Sequence, residues 1–294
     1  MAHCYVVTAQ PATAIIGSIV CSFTSPNSRD LIITKGNHLE VHCLSTSNDS
    51  VNTTNATTTP ILHHIIDATM HGKIVSIDKY RPQNTKNSSF SSQQDSLFIL
   101  TERKNFCILS YDIVTKRLIT NCNGNVKDRI GREIETGICG LLDNQHNIIA
   151  MMVYEGLIKI FPIDTNTNSN TNTTSIREPY NLRLEEIRYL DLKFLYGYSR
   201  PTFAILYEDS RLNKHIKTYS IDIREKELLD GPWCQMYVDK SSTFLIPIPS
   251  PMGIHGYVIL VGVNVISYIT GTSKGNTTST ISNTNTPNTT SILT

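Results

Sequence analysis

Leu97–Asp112 reads LFILTERKNFCILSYD. Two apolar runs, rich in β-branched and aromatic residues, flank a polar turn, which is the pattern of a β-hairpin. The run Leu97–Leu100 is apolar at every position, so its strand is covered on both faces. The arrangement returns as LIITKGNHLEVHCL from Leu31, IIAMMVYEGLIKIFPID from Ile148, FAILYEDSRLNKHIKTYSID from Phe203 and YVILVGVNVISYITG from Tyr257. The starts are roughly 50–65 residues apart, the scale of a four-stranded propeller blade. Blades packed on two neighbours cover strands on both faces. Helical signals are weak: Leu182–Tyr189 (LRLEEIRY) reads better as a strand with charged outward positions, and no amphipathic helix of useful length occurs. The expected class is all-β.

Four Asn/Thr/Ser-rich tracts interrupt the pattern: Ser45–Pro60, Gln83–Asp95, Thr165–Ser175 and Gly271–Thr294. They hold too little apolar surface to offset chain entropy and are expected to be disordered loop insertions. Five hairpins are visible in 294 residues. At about 55 residues per repeat, seven blades would need roughly 385 residues. The chain is then a five-bladed ring or an open piece of a larger one. The absence of an evident outer strand after the fifth hairpin favours the open piece.

Lys plus Arg number 26 and Asp plus Glu 25, a formal charge of +1. Nucleic-acid binding draws on clustered cations, and no run of five like charges occurs, so strong direct DNA or RNA binding is disfavoured. The seven cysteines include no CxxC pair and sit mostly in apolar runs, as small hydrophobes of a reducing compartment would. No basic n-region precedes an apolar stretch near the N-terminus, and Ile254–Ile266 is too short for a bilayer, so no membrane partner is expected.

The chemistry-bearing motifs are weak. GTSKG at Gly271–Gly275 matches G-x-S-x-G, but a nucleophile elbow needs a strand before it and a helix after it. His38 and His42 lie about 13 Å apart on one strand face, too far to share a metal, and His63 and His64 point to opposite faces. No HExxH, GxGxxG or P-loop occurs. Neither catalysis nor a cofactor is expected. Trp233, the only tryptophan, follows a Gly-Pro turn and reads as a core residue at a strand start. The glycine-punctuated loop Asn123–Gly140 (NGNVKDRIGREIETGICG) is more informative. Long loops on rigid β scaffolds carry function, and Arg is enriched at interface hot spots. The alternative is a self-contained loop whose arginines pair with Asp128, Glu133 and Glu135.

This loop, with YVVTAQPATAI at Tyr5–Ile15, NLRLEEIRYLDLKFLYG at Asn181–Gly197 and HIKTYSIDIREKELLDGPW at His215–Trp233, resembles the large subunit of the UV-damaged DNA-binding protein, an adaptor of cullin-four RING ubiquitin ligases. The resemblance runs to about Tyr268, with the four tracts as departures. It implies an incomplete seven-bladed β-propeller with about four to five blades present. Residues 1–17 would hold a strand belonging to another propeller, 18–270 the partial first propeller, and 271–294 a low-complexity tail. It further implies a non-enzymatic scaffold that binds substrate receptors, meets DNA only through a receptor, and acts in repair and protein turnover in nucleus and cytoplasm. The cullin-docking region lies outside the matched part. The family's NVxDRIGR stretch maps to Asn125–Arg132. It implies receptor contacts by Arg129 and Arg132, with Asp128 and Asn125 organising the loop. A related propeller subunit of pre-messenger RNA cleavage or splicing factors is the competing reading.

Overall fold

The computed structural model describes residues 10, 12–46, 60–81, 94–127, 131–164, 175–186, 188–249, 256–269 and 278–282. The chain divides into two compact units, Met1–Asn181 and Leu182–Thr294. The described residues are all-β, with no helix.

The first unit holds three antiparallel meanders. The first sheet is β1 (Gly17–Cys21), β2 (Asp30–Lys35), β3 (His38–Thr46) and β4 (Pro60–Thr69), in that order. The second is β5 (Ile74–Tyr80), β6 (Ser96–Thr101), β7 (Asn105–Asp112) and β8 (Arg117–Asn125). The third is β9 (Cys139–Asp143), β10 (Ile148–Tyr154) and β11 (Leu157–Asp164), its outer edge shared by β12 (Ser175–Ile176) and β13 (Tyr180–Arg183). In the second unit, β14 (Tyr189–Phe194), β15 (Thr202–Glu208), β16 (Lys214–Asp222) and β17 (Glu227–Val238) form one sheet. β18 (Phe244–Pro247), β19 (Val258–Val261), β20 (Val265–Ile269) and β21 (Thr278–Ser282) form the other.

The five sheets are propeller blades. Within each unit the first strand of one sheet lies against the first strand of the next: β1 on β5, β5 on β9, and β14 on β18. The same device stitches two of these junctions. The Leu142 N–H of β9 donates to Asp78 Oδ2 of β5 at 3.3 Å, and the Leu245 N–H of β18 donates to Asp191 Oδ2 of β14 at 2.8 Å. A carboxylate on an inner strand thus takes up a backbone donor that no ladder reaches.

Alternation along β6 builds the core. Leu97 and Ile99 enter one apolar cluster with Ile32, Val41 and Ile74 of neighbouring strands. Phe98 and Leu100 enter another with Ile149, Met151 and Phe161. β6 and β10 are buried at every position, which is why their sequences read as unbroken apolar runs. Burying each such side chain stabilises the fold by roughly 1.5–3 kcal/mol.

The sequence-derived hairpins are the second and third strands of each sheet. Five sheets stand at the upper end of the four to five blades expected. Three expectations are corrected. The hairpin from Tyr257 is followed by an outer strand, β21, paired with β20 from Val265↔Ser282 to Ile269↔Thr278. An outer strand is held by backbone hydrogen bonds, so Thr278–Ser282 serves despite its polar composition. Leu182–Tyr189 is neither helix nor one strand; β13 ends at Arg183 and β14 starts at Tyr189. Trp233 is a core residue, 7% exposed, but lies inside β17 and not at its start.

The Asn/Thr tracts fall largely outside the described residues, as do Gly271–Gly275 and residues 1–9 of the segment expected to hold another propeller's strand. One neck is visible. Arg81 and Asp95 form a bidentate pair, Nε to Oδ1 at 2.5 Å and Nη2 to Oδ2 at 2.9 Å. Asp95 Oδ2 also accepts the Ser22 N–H at 2.8 Å.

Candidate partner-binding loop

β8 ends at Asn125, and the chain then crosses from the second sheet to the third. Asn125 sets the exit. Its Oδ1 accepts the Lys127 N–H at 2.8 Å, and its Nδ2 donates to Asn105 Oδ1. Val126 is fully buried in the core cluster between the two sheets. Its N–H donates to the Lys104 carbonyl at 2.8 Å.

Lys104 is the anchor. It occupies the left-handed region (φ 64°) in the β6–β7 turn, and its own N–H donates to the Thr101 carbonyl at 2.8 Å. Its side chain is largely buried, and Nζ pairs with the Glu133 carboxylate and lies 5.0 Å from the centre of the Tyr154 ring. The Glu133 hydrogen bond raises the Lys104 ammonium above its ordinary pKa. The same contact lowers the Glu133 carboxyl.

The returning half of the loop runs along the end of the third sheet. Glu133 forms an antiparallel bridge with Tyr154, and the Glu155 N–H donates to the Arg132 carbonyl at 3.0 Å. Gly131 packs against the Tyr154 ring.

Arg132 is thereby fixed at its backbone and open at its head. Its side chain is 73% exposed, with Nε 3.2 Å from Glu155 Oε2 and Nη2 3.3 Å from Glu135 Oε1. A guanidinium has five N–H donors, so this pairing leaves donors for another molecule. Asp128 and Arg129 lie outside the described residues. Of the four residues singled out from sequence, Asn125 and Arg132 therefore belong to one well-tied loop. The self-contained alternative holds in part: Arg132 does meet Glu135, but Glu133 pairs with Lys104. Sequence reasoning missed Lys104, Asn105, Tyr154 and Glu155, which come from hairpin turns about 25 residues away on either side; only the Gly131 spacing signalled a close approach.

Among the described histidines of β3 and β4, His42 meets Glu40 and His64. His42 Nε2 lies 3.3 Å from Glu40, and its ring stands edge-on to His64 at 5.1 Å. Among the described residues no group of three or more His, Cys, Asp or Glu side chains is placed to hold a metal ion.

A family model described as the RSE1/DDB1/CPSF1 first beta-propeller matches residues 14–294. The chain belongs to this family. It is 37% identical over 264 residues to DNA damage-binding protein 1b of Arabidopsis thaliana, 36% over 269 residues to DNA damage-binding protein 1 of Oryza sativa subsp. japonica, and 35% over 264 residues to DNA damage-binding protein 1 of Solanum lycopersicum. These alignments cover 90%, 92% and 90% of this chain, and 22% of each relative. The resemblance carried by Gly124–Gly140 and the other quoted segments is thus a family relationship.

Proposed function

We propose that this chain is the first-propeller part of a non-enzymatic adaptor of the DNA damage-binding kind. In this reading it holds substrate receptors of a cullin-four RING ubiquitin ligase and meets DNA only through such a receptor. It would act in damage repair and ubiquitin-dependent turnover, in nucleus and cytoplasm. The cullin contact is not assigned to this chain, because it spans about a fifth of its relatives' length. The observation that carries the proposal is identity of 35–37%, along nine-tenths of the chain, to proteins named for binding damaged DNA. The pre-messenger RNA reading has no comparable support from these relatives.

Arg132 is the proposed contact, with Arg129 beside it in sequence and Asp128 and Asn125 shaping the loop. Because the loop backbone is already tied to two sheets, binding has only the exposed Arg132 side chain left to order. The test is titration of a fluorescent receptor-helix peptide against the wild-type chain and Arg132→Glu. The variant should lose about tenfold or more in affinity while its circular dichroism is unchanged. Equal affinities remove Arg132 from the interface. Strongly salt-dependent RNA binding by the wild type would favour the competing reading.

A further inference from the structure

The outer strands differ in how they end the sheets. In an antiparallel sheet an outer strand turns alternate N–H and C=O groups away from its neighbour, a row that another strand can take up. β17 is guarded by Asp230, Gly231 and Pro232 and by two register shifts against β16. The third sheet's edge is broken into the short β12 and β13, with Arg177, Glu178 and Pro179 between them. β8 starts at Arg117 and finishes in the polar stretch Asn121–Asn125. β4 has no such guard over Ile61–Ile66 (ILHHII), which contains no carboxylate, Lys, Arg, Gly or Pro. Its irregularity is a bulge near Ile65, which leaves Pro60–His64 regularly paired with β3.

The hydrogen bonds of β3 identify the outward groups. The Leu44 N–H donates to the Arg29 carbonyl, away from β4, and the Met70 N–H donates to the Asn37 carbonyl. Odd-numbered residues of β3 therefore face β4 and even-numbered ones face β2. Leu44 pairs with Leu62 and His42 with His64. Leu62 and His64 consequently turn their backbone groups outward, where no further strand lies among the described residues. Leu62 is 47% exposed, its neighbour Leu44 is 41% exposed, and Ile61 on the other face is 42% exposed.

We propose that β4 is a homotypic docking edge, paired antiparallel with β4 of a second copy about a two-fold axis at Leu62. The choice of a second copy follows from self-matching. Pairing about Leu62 joins its N–H and C=O to those of its counterpart. It also brings each His64 N–H to the opposite Pro60 carbonyl. Proline has no N–H to leave unpaired at that position. On one face the exposed leucines then form a continuous row, Leu44 and Leu62 of one copy followed by Leu62 and Leu44 of the other. No like charges of Lys, Arg, Asp or Glu meet across the axis. An isologous contact of this kind closes on itself and uses up the edge. The contact is small, so the dimer is weak and concentration-dependent. This inference is independent of the receptor-binding proposal.

Sedimentation velocity of the 294-residue chain, from low to high micromolar concentration, is the test. The wild type should pass from monomer to dimer, with amide hydrogen exchange at Leu62 and His64 slowing in parallel. Leu62→Lys should stay monomeric with an unchanged melting temperature, because the side chain is at the surface. His64→Pro, which removes an outward donor without adding charge, should behave likewise. Monomer at every concentration, or dimerisation of both variants like the wild type, overturns the proposal. So does open-ended aggregation with no discrete dimer. If the chain stays monomeric and a foreign extended peptide protects Leu62 and His64, the edge belongs to another partner and the second-copy assignment falls.

Discussion

Gly131 rests against the ring of Tyr154 so closely that a Cβ on the glycine would stand 2.3 Å from ring atom Cδ1 and 2.4 Å from Cγ. A side chain here must push the ring or lift the loop. Gly131→Ala should destabilise the first unit by about 1–3 kcal/mol through overpacking. It should also weaken receptor binding by displacing Arg132. Chemical denaturation and the peptide titration measure the two effects. Wild-type stability in the variant would mean the loop does not need this contact.

The Lys104–Glu133 pair has a defined pH window. Glu133 is lowered from an ordinary value near 4.5, so its contribution is present above that value and is lost as pH falls through the lowered one. Lys104 is raised from about 10.5, so its contribution is present below that value and is lost at more alkaline pH. The stability difference between wild type and Glu133→Gln should be greatest near neutrality and should vanish toward strong acid. Because Glu133 is exposed, the difference should be small. Parallel pH profiles for the two proteins would contradict the pairing.

Glu186 is buried in the second unit and takes the Tyr219 hydroxyl at 2.8 Å on each carboxylate oxygen, with Lys217 Nζ 3.7 Å away. This clasp holds the segment between β13 and β14 to β16. Tyr219→Phe takes away the hydroxyl donor while keeping the ring, at a cost of about 1–3 kcal/mol. Urea unfolding followed by a second-unit probe such as Trp233 fluorescence should register it. A midpoint shift equal to zero would show that Lys217 alone satisfies the carboxylate.

Burial raises the Cys21 thiol to about 12 and those of Cys107 and Cys122 to about 11. Cys234 is exposed. Since the thiolate is the nucleophile, alkylation at pH 8 should modify Cys234 before Cys21, Cys107 and Cys122. Cys21, Cys107 and Cys122, with raised thiols, should react at least about 100-fold more slowly until the chain unfolds. Mass spectrometry of timed samples distinguishes these outcomes, and early labelling of Cys107 would indicate that β7 opens.

How far the fold was legible depends on which strand is considered. β6, β10 and β15 announce themselves because they are covered on both faces. Their hairpin partners follow from short turns such as Glu155–Gly156. The inner strands were hidden: Gly17–Cys21 and Cys139–Asp143 are five residues long and carry only partial apolar patterning. The outer strands were hidden for the opposite reason, since half their residues face water and β17 contains a proline. In the candidate loop, Asn125 and Arg132 could be read directly. Lys104 and Tyr154 could not, because their part in the loop arises only when two hairpin turns from different sheets come together around it.

The Arg81–Asp95 clamp acts as a drawstring. By joining Tyr80 and Ser96 at the mouth of their connection, it lets the second sheet form without reference to what is strung between them. The entropy of closing such a connection rises only logarithmically, by about 0.6 kcal/mol for each doubling in length. With the ends of the connection held by the clamp, the second sheet should keep its register when the number of residues between Arg81 and Asp95 is changed. That stretch is also the natural place to splice in a reporter sequence.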